Sequence, residues 1–427
     1  MTYHSGADLG LFTQTIASAF HGFSNTTEGG SHFTFHFSPI LYLCAPLLWL
    51  THSPLALVAI QALAGGLAAP PLFYLARRRV GERLAWRIAL VALLYPPLAG
   101  VTFTDFHENG FAPAATLWLI WAADARRWGW VALFLALCLG IKEDQGPLLA
   151  FAGLFAAVYF ARRGERAGVA FSLGAVAVSL ATFVAFFAFV RPLAGATDAW
   201  GPLHFYTWSH IVDPRGSAPW YSIGRPAYFL EAMVPLAFVC CFSPLFILAL
   251  PAFAEVLLSH ESITYTMGQH YAAVWIGYVL AAFALGVARI ARRHPLSAQR
   301  LVTTSAVLCG LVLVFASPTH WGHYLRLRTA HDVAIDRAFQ WLPPTAPVGT
   351  HDELYAHLGF DPNASLGLRR DPQYALFDNT YWSSYWVERV RPRLIAEVAA
   401  GTYRIVRSDD GIQLFVKTRR PSLGPAR

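Results

Sequence analysis

The chain has 427 residues, of which 56% are hydrophobic and 13% are charged, whereas soluble domains usually carry about 25% charged residues. This composition excludes an ordinary soluble protein and indicates an α-helical polytopic membrane protein whose first partner is the lipid bilayer. The net charge of +7 does not point to nucleic acid, because the arginines stand in small clusters between apolar segments and form no basic stripe.

Residues 1–53 are predicted to form an outer loop that carries amphipathic and interfacial helices. Asp8 stands before residues 9–17, whose apolar positions recur at helical spacing. The Asp8 carboxylate either caps this helix or acts as a catalytic base that removes a proton from an acceptor. Residues 38–50 are too few for a full span, so we interpret them as a helix at the membrane interface, with spanning as the alternative.

Residues 54–317 are predicted to form the transmembrane domain. Ten apolar segments follow one another in it, and several have only about 15 residues, fewer than the roughly 20 that cross a bilayer squarely. We therefore predict about ten spans, at residues 54–76, 84–102, 110–124, 128–141, 147–161, 167–190, 227–241, 244–258, 270–291 and 301–317.

The loops between these segments predict the orientation of the chain in a cell inner or plasma membrane. All the arginine clusters fall in loops on one side, which the positive-inside rule makes cytoplasmic. Residues 1–53, the loop at Asp105, the turn at Lys142 and everything after Ser317 then lie on the outer side. Because residue 1 is already outside, we expect a further transmembrane helix upstream, equivalent to a missing first helix.

Residues 318–427 are predicted to form a small extracytoplasmic α/β domain. Charge rises after Pro318, and the pattern predicts helices at about 330–341 and 386–399, with another helix between them. Strands are predicted near Val348 and at 374–377, followed by a closing hairpin of residues 403–406 and 413–416. The domain contains no glycine-rich phosphate loop, so the sequence assigns no chemistry to it.

The loop between the second and third segments holds three ionisable side chains: Asp105, His107 and Glu108. Ionisable groups between membrane spans are usually functional. Asp105 and His107 are two residues apart and can point at one divalent cation. Oxygen and imidazole ligands suit Mg²⁺, Mn²⁺ and Zn²⁺ about equally, and Mg²⁺ or Mn²⁺ is the predicted ion. The alternative is that these residues only cap the neighbouring helices and form a turn.

A second charged cluster lies in the turn at 142–144, on the same predicted side of the membrane. Lys142 is expected to contact the phosphate of a lipid-linked donor, whereas Glu143 and Asp144 either support it in a substrate site or merely neutralise its charge. Three aromatic or imidazole side chains on that side are further candidates for substrate binding: His36, His270 and Tyr271.

The order of these motifs resembles the DUF2079 family of membrane proteins, which looks like a branch of the GT-C glycosyltransferase superfamily. The resemblance is carried by Asp8-Leu9-Gly10-Leu11-Phe12, His36-Phe37-Ser38-Pro39-Ile40-Leu41-Tyr42-Leu43, Ala76-Arg77-Arg78, Asp105-Phe106-His107, Lys142-Glu143-Asp144 and His270-Tyr271. It implies a lipid-phosphate-linked sugar donor, a first acidic residue at Asp8 and a second acidic motif at Asp105, with His107 matching a variant that binds a divalent cation in some members.

The function expected from these features is inverting transfer of a hexose or pentose at the cell envelope. The donor is a polyprenyl-phosphate-linked sugar, and the acceptor is a glycan, a lipid or a protein on the outer face. Two alternatives stay open: a transporter or channel with the same charges along an ion pathway, and a non-catalytic membrane scaffold. The sequence has no Walker A loop, dinucleotide fingerprint or Gly-x-Ser-x-Gly motif, which argues against an ATP-driven pump or a serine hydrolase.

Overall fold

The computed structural model describes residues 6–198, 222–259, 261–317, 327–383 and 385–418. The chain forms two compact units, which are described separately below. The membrane unit comprises Phe33–Leu43 and Val58–His320, and the sheet unit comprises Met1–His32, Cys44–Leu57 and Trp321–Arg427. The predicted domain boundaries at residues 53 and 317 remain a prediction.

Most of the chain is helical, and its helices are apolar. Among the described residues, four helices are long and apolar enough to cross a membrane: Leu55–Val80, Arg166–Leu193, His270–Ala291 and Pro295–Phe315. A fifth candidate is a pair of helices bent by 49°, Glu82–Leu94 and Pro96–Phe103. Shorter apolar helices occupy Pro39–Thr51, Trp128–Leu139, Gln145–Ala161 and Pro244–Leu258, and further helices occupy Ala112–Asp124 and Gly224–Met233. A multi-pass membrane protein is therefore confirmed, while the count of ten spans stays a prediction.

The bend in the Glu82–Leu94 and Pro96–Phe103 pair follows from two consecutive prolines. Tyr95 is extended, with ψ of 116°, because a residue before proline is kept out of the helical region. Pro96 and Pro97 then occupy the first helical positions, where their missing N–H groups cost nothing. The second helix of the pair leads directly into the polar loop at residues 104–111.

The helix His270–Ala291 lies at the centre of the membrane unit. Within its most apolar stretch, 89% of the residues are buried inside the protein. Trp275 donates a hydrogen bond to the Tyr228 hydroxyl over 3.0 Å and stacks on Phe253 with ring centroids 4.7 Å apart. Because neighbouring helices surround it, the position of His270 at its first turn is well defined.

The sheet unit contains a five-stranded mixed sheet. Its strands, in spatial order, are Ala364–Leu366, Val348–Thr350, Tyr374–Asp378, Ile412–Lys417 and Tyr403–Asp409. The first three are parallel, and the last two form an antiparallel hairpin. The helices Ala330–Phe339, Asp352–Tyr355 and Arg391–Ala399 accompany it, the last preceded by a π-helical turn at Trp386–Val390. The predicted small α/β domain is confirmed, but the sequence did not predict the strand Ala364–Leu366, which has only three residues.

The N-terminal helix, Ala7–Ala17, belongs to the sheet unit. Gln14 donates to the carbonyl oxygens of Asp361 and Ala364 at 2.7 and 2.9 Å, and the Tyr355 hydroxyl donates to Gln14 Oε1 over 2.7 Å. A Cβ at Gly10 would stand 2.5 Å from the Tyr355 ring, so only glycine allows the helix to approach this closely. A short two-stranded ribbon, Ser24–Asn25 with Gly30–Ser31, follows.

Candidate active site

The loop at residues 104–111 is held in place by a glutamine from a neighbouring helix. Gln61, which is 2% exposed, accepts a hydrogen bond from the backbone N–H of His107 over 2.9 Å. Its amide nitrogen lies 3.2, 3.3 and 3.4 Å from the carbonyl oxygens of Thr102, Thr104 and Asp105. One buried side chain thus bonds to four backbone groups at the end of the helix Pro96–Phe103 and in the non-helical loop that follows it, which is what irregular backbone between apolar helices requires.

Glu108 is fully buried at the centre of this loop. Its two carboxylate oxygens have no hydrogen-bond partner among the described residues, but His107 Nδ1 lies 3.0 Å from one and Lys142 Nζ lies 3.8 Å from the other. Burial raises the pKa of Glu108, and the neighbouring His107 and Lys142 outweigh this effect and hold the pKa well below its usual range. Glu108 is therefore ionised.

The turn that carries Lys142 is tied to the segment at residues 36–40. Glu143 accepts a hydrogen bond from the Phe37 backbone N–H over 2.9 Å, and its other oxygen lies 2.9 Å from His36 Nδ1. The backbone N–H of Ile40 donates to the carbonyl of Gly140 over 2.8 Å. Glu143 is therefore a positioning residue that joins two chain segments about a hundred residues apart.

Asp144 completes a group of carboxylates around Lys142. Gln145 donates to Asp144 Oδ1 over 3.0 Å, and the carboxyl group of Glu255 lies near enough to Asp144 for their charges to interact. Burial raises the pKa of Asp144 to about 6.

His107 and His270 stack face to face, with ring centroids 3.5 Å apart and planes 11° from parallel. Burial lowers the pKa of His107 more than the adjacent Glu108 raises it. The ring of Tyr271 lies 4.1 Å from that of His270. Neutral imidazoles are metal ligands and proton acceptors, so the pair brings that chemistry beside Glu108.

Lys142 is one of only two lysines in the chain, the other being Lys417. It is 7% exposed, and burial disfavours its charge, but Glu108, Asp144 and Glu143 raise its pKa above the usual value. No hydrogen bond engages its ammonium group within the described part of the chain. A permanent cation with unused donors is therefore buried among carboxylates.

The two predicted catalytic aspartates are placed differently. Asp105 is half-buried in the loop, where one of its carboxylate oxygens accepts a hydrogen bond from the Phe106 N–H over 3.2 Å. Asp8, in the sheet unit, lies in the first turn of Ala7–Ala17, whose N-cap is Gly6. Asp8 is thus inside the helix and is not its cap. Its negative charge is stabilised by the positive N-terminal end of the helix dipole. The catalytic roles of both aspartates remain predictions, as does the metal pair Asp105 and His107.

The structure therefore brings together eight of the predicted residues in the membrane unit: His36, His107, Glu108, Lys142, Glu143, Asp144, His270 and Tyr271. Sequence reasoning missed Gln61 and Glu255. Each is a lone polar residue in an apolar helix, and such residues are costly unless they are paired or functional. That signal could have identified both of them.

Comparisons with known proteins identify the family and the fold. The family model of the predicted membrane proteins DUF2079 matches residues 3–414. No curated protein sequence matches the chain. Among solved structures, ArnT from Cupriavidus metallidurans bound to undecaprenyl phosphate is 15% identical, with 100% of this chain and 96% of that chain covered and a TM-score of 0.62. The same ArnT in the apo state is 15% identical, covering 97% and 94% at a TM-score of 0.55.

A weaker likeness is to the Archaeoglobus fulgidus oligosaccharyltransferase in complex with Zn and sulfate, at 15% identity and a TM-score of 0.40, with 97% of this chain and 69% of that chain covered. It is too low to support an inference. At 15% identity, the ArnT comparison establishes the fold alone. Since the family model covers nearly the whole sequence, the chain belongs to the DUF2079 family of predicted membrane proteins.

Proposed function

We propose that the protein is a membrane glycosyltransferase that moves a sugar from a polyprenyl-phosphate carrier to an acceptor on the outer face of the plasma membrane. The fold supports this proposal, since one structure that shares it was solved with undecaprenyl phosphate bound. The observation that carries it is the buried ammonium group of Lys142, with no hydrogen bond from it among the described residues. A glycan, a lipid or a protein is the acceptor.

Lys142 supplies the positive charge that this reaction needs. As the bond between the anomeric carbon and the phosphate oxygen breaks, its electron pair leaves with the phosphate, and negative charge grows on that oxygen. A cation fixed in a water-poor site stabilises the developing charge without having to reorganise. The distance of 3.8 Å to Glu108 is too long for a hydrogen bond, so the lysine N–H groups are left to the phosphate.

The acceptor must lose a proton as it attacks the anomeric carbon from the opposite side, which inverts the configuration. A carboxylate is the base for this step, and Asp8 and Asp105 are the proposed candidates. His36 and Tyr271 complete the proposed substrate site. In this assignment the sheet unit is extracytoplasmic, and Glu143 and Gln61 position the two loops that carry the reacting groups.

The residues present fit a divalent cation. One ammonium group, that of Lys142, faces four carboxyl groups on Glu108, Glu143, Asp144 and Glu255, and the two oxygens of Glu108 are buried without a hydrogen bond from the described residues. Binding an anionic donor to this excess of carboxylates requires additional positive charge. Mg²⁺ or Mn²⁺ would supply this positive charge and would act as a Lewis acid. Carboxylate oxygens, among them those of Asp105, and the imidazole of His107 would hold the ion.

The proposal is tested by replacing Lys142 with Met, using Lys417→Met as the matched control. Lys417 forms an ion pair with Asp371 on the surface of the sheet unit. The variants are expressed in a deletion strain, whose lipid-linked and surface glycans are compared with those of its parent. We expect Lys142→Met to lower transfer by about a hundredfold or more, whereas Lys417→Met restores the parental pattern.

A second measurement separates donor binding from folding. Undecaprenyl phosphate is added to the purified protein, and the midpoint of thermal unfolding is recorded. Wild type and Lys417→Met should be stabilised, and Lys142→Met should not. A folded Lys142→Met protein that still makes the glycan would disprove the assignment, and an ion flux that depends on Lys142 without glycan synthesis would favour the transporter.

A further inference from the structure

A cavity of about 510 Å³ opens at the arginine-rich end of the membrane unit. Its walls are mostly apolar side chains of the helices Ala112–Asp124, Trp128–Leu139, Gln145–Ala161 and His270–Ala291. Leu149 and Ala156 belong to these walls, Phe171 of the helix Arg166–Leu193 adds to them, and Arg289 and Arg292 also line the cavity. None of the residues of the candidate active site lines it.

Two arginines that line this cavity lack a counter-charge. Two other arginines at this end form ion pairs, Arg79 with Asp124 and Arg126 with Glu165. Arg289 and Arg292 form no ion pair with any residue that the structure describes. Both are exposed, and Arg289 donates a hydrogen bond to the backbone carbonyl oxygen of Phe242 over 3.4 Å.

We propose that this cavity binds one acyl chain of an anionic phospholipid, whose phosphate lies against Arg289 and Arg292. Basic pockets between membrane helices are suited to anionic lipid head groups, and the apolar walls suit a hydrocarbon chain. Arg292 and Tyr278 both line the cavity and are separated by about 21 Å along the helix axis at 1.5 Å per residue.

That length selects a phospholipid over a polyprenyl phosphate. One leaflet occupies about half of a hydrocarbon core that is roughly 30 Å thick, or about 15 Å, so a length of about 21 Å from Arg292 holds the acyl chain of one leaflet together with the phosphate above it. The phospholipid would act as a structural ligand that fills the space between these helices. This inference does not depend on the transferase proposal, since the cavity and the candidate active site share no residue.

The test measures phosphatidylglycerol binding to the purified full-length chain by native mass spectrometry, with phosphatidylcholine as the neutral reference lipid. The double variant Arg289→Gln/Arg292→Gln should weaken phosphatidylglycerol binding by about thirtyfold, because each basic residue near the membrane surface contributes about a fivefold factor. Ala156→Phe, which fills the cavity, should also reduce binding. Arg293→Gln is the matched control, since Arg293 is an exposed neighbour that does not line the cavity.

Unfolding midpoints in detergent with phosphatidylcholine establish that each variant is folded. The proposal is overturned if the double variant binds phosphatidylglycerol as wild type does, or if Arg293→Gln weakens binding equally. It is also overturned if folded Ala156→Phe binds normally, because the chain would then lie elsewhere. Displacement of phosphatidylglycerol by a lower concentration of undecaprenyl phosphate would assign the cavity to the polyprenyl carrier instead.

Discussion

Replacing Gln61 with Met should release the loop that carries Asp105 and His107 while nearly preserving side-chain volume. Gln61 Oε1 accepts the His107 N–H over 2.9 Å, and the Gln61 amide donates toward three backbone carbonyls, at 3.2, 3.3 and 3.4 Å. Met can form none of these bonds. The backbone N–H of His107 and the three backbone carbonyl groups would each lose this hydrogen-bond partner.

The cost of this change can be worked from the geometry. The His107 N–H is buried, and losing its acceptor costs about 1–3 kcal/mol. The bonds from the amide are long and shared among three carbonyls, so their loss adds about 1 kcal/mol. We expect the free energy of unfolding to fall by roughly 2–4 kcal/mol, which corresponds to a drop of roughly 2–5 °C in the unfolding midpoint of a chain of this length.

The midpoint can be followed in detergent with a thiol-reactive fluorophore, since Cys44, Cys138, Cys240 and Cys309 are buried. The matched control is Gln299→Met, because Gln299 is an exposed glutamine of the same unit. Glycan synthesis by Gln61→Met should decrease by more than the loss of folded protein explains, since the loop holds Asp105 and His107. A Gln61→Met protein with the stability and activity of wild type would refute the positioning role of Gln61.

Two further predictions concern other parts of the chain. Gly65→Ala should be clearly destabilising, because the new Cβ would stand 2.3 Å from Thr102 Oγ1. The adjacent Gly66→Ala should be neutral or stabilising by about 0.5–1 kcal/mol, because nothing lies within 4 Å of a Cβ at that position. Equal unfolding midpoints for the two variants would contradict this packing. Burial lowers the pKa of His351 to about 3, so as the pH falls the unfolded chain binds a proton at this residue before the folded chain does. The free energy of unfolding should therefore decrease below about pH 6.5, by about 1.4 kcal/mol per pH unit. His351→Phe keeps the stack on Tyr381 and should flatten this dependence in unfolding experiments from about pH 6 to about pH 4; a slope unchanged from wild type would contradict the assignment.

Much of the fold could be predicted because hydrophobic patterning is a local property. The apolar segments at 167–190 and 270–291 are helices with nearly the predicted bounds, and the hairpin at 403–416 lies at the predicted place. The charges at the ends of apolar segments likewise identified Glu108 and Lys142 as candidate site residues from the sequence alone. These predictions succeed because the cost of an unpaired polar group beside apolar helices does not depend on the details of packing.

The pairings within the site could not be predicted in this way. That Glu108 lies beside Lys142, that Glu143 joins His36, and that Gln61 holds the loop are contacts between residues 34 to 107 positions apart in the chain. They depend on how helices pack, and the sequence alone does not specify the packing.

The amino-acid sequence by itself determined the class of the protein, the order of its helices, the small α/β domain and the residue types that carry the chemistry. Only the tertiary structure decided which charges are buried together and that the helix Ala7–Ala17 packs into the sheet unit through Gln14 and Tyr355. The physical reason is that hydrophobic burial follows local composition and periodicity. The environment of a charge, in contrast, depends on the groups within a few ångströms of it, and distant parts of the chain supply those groups.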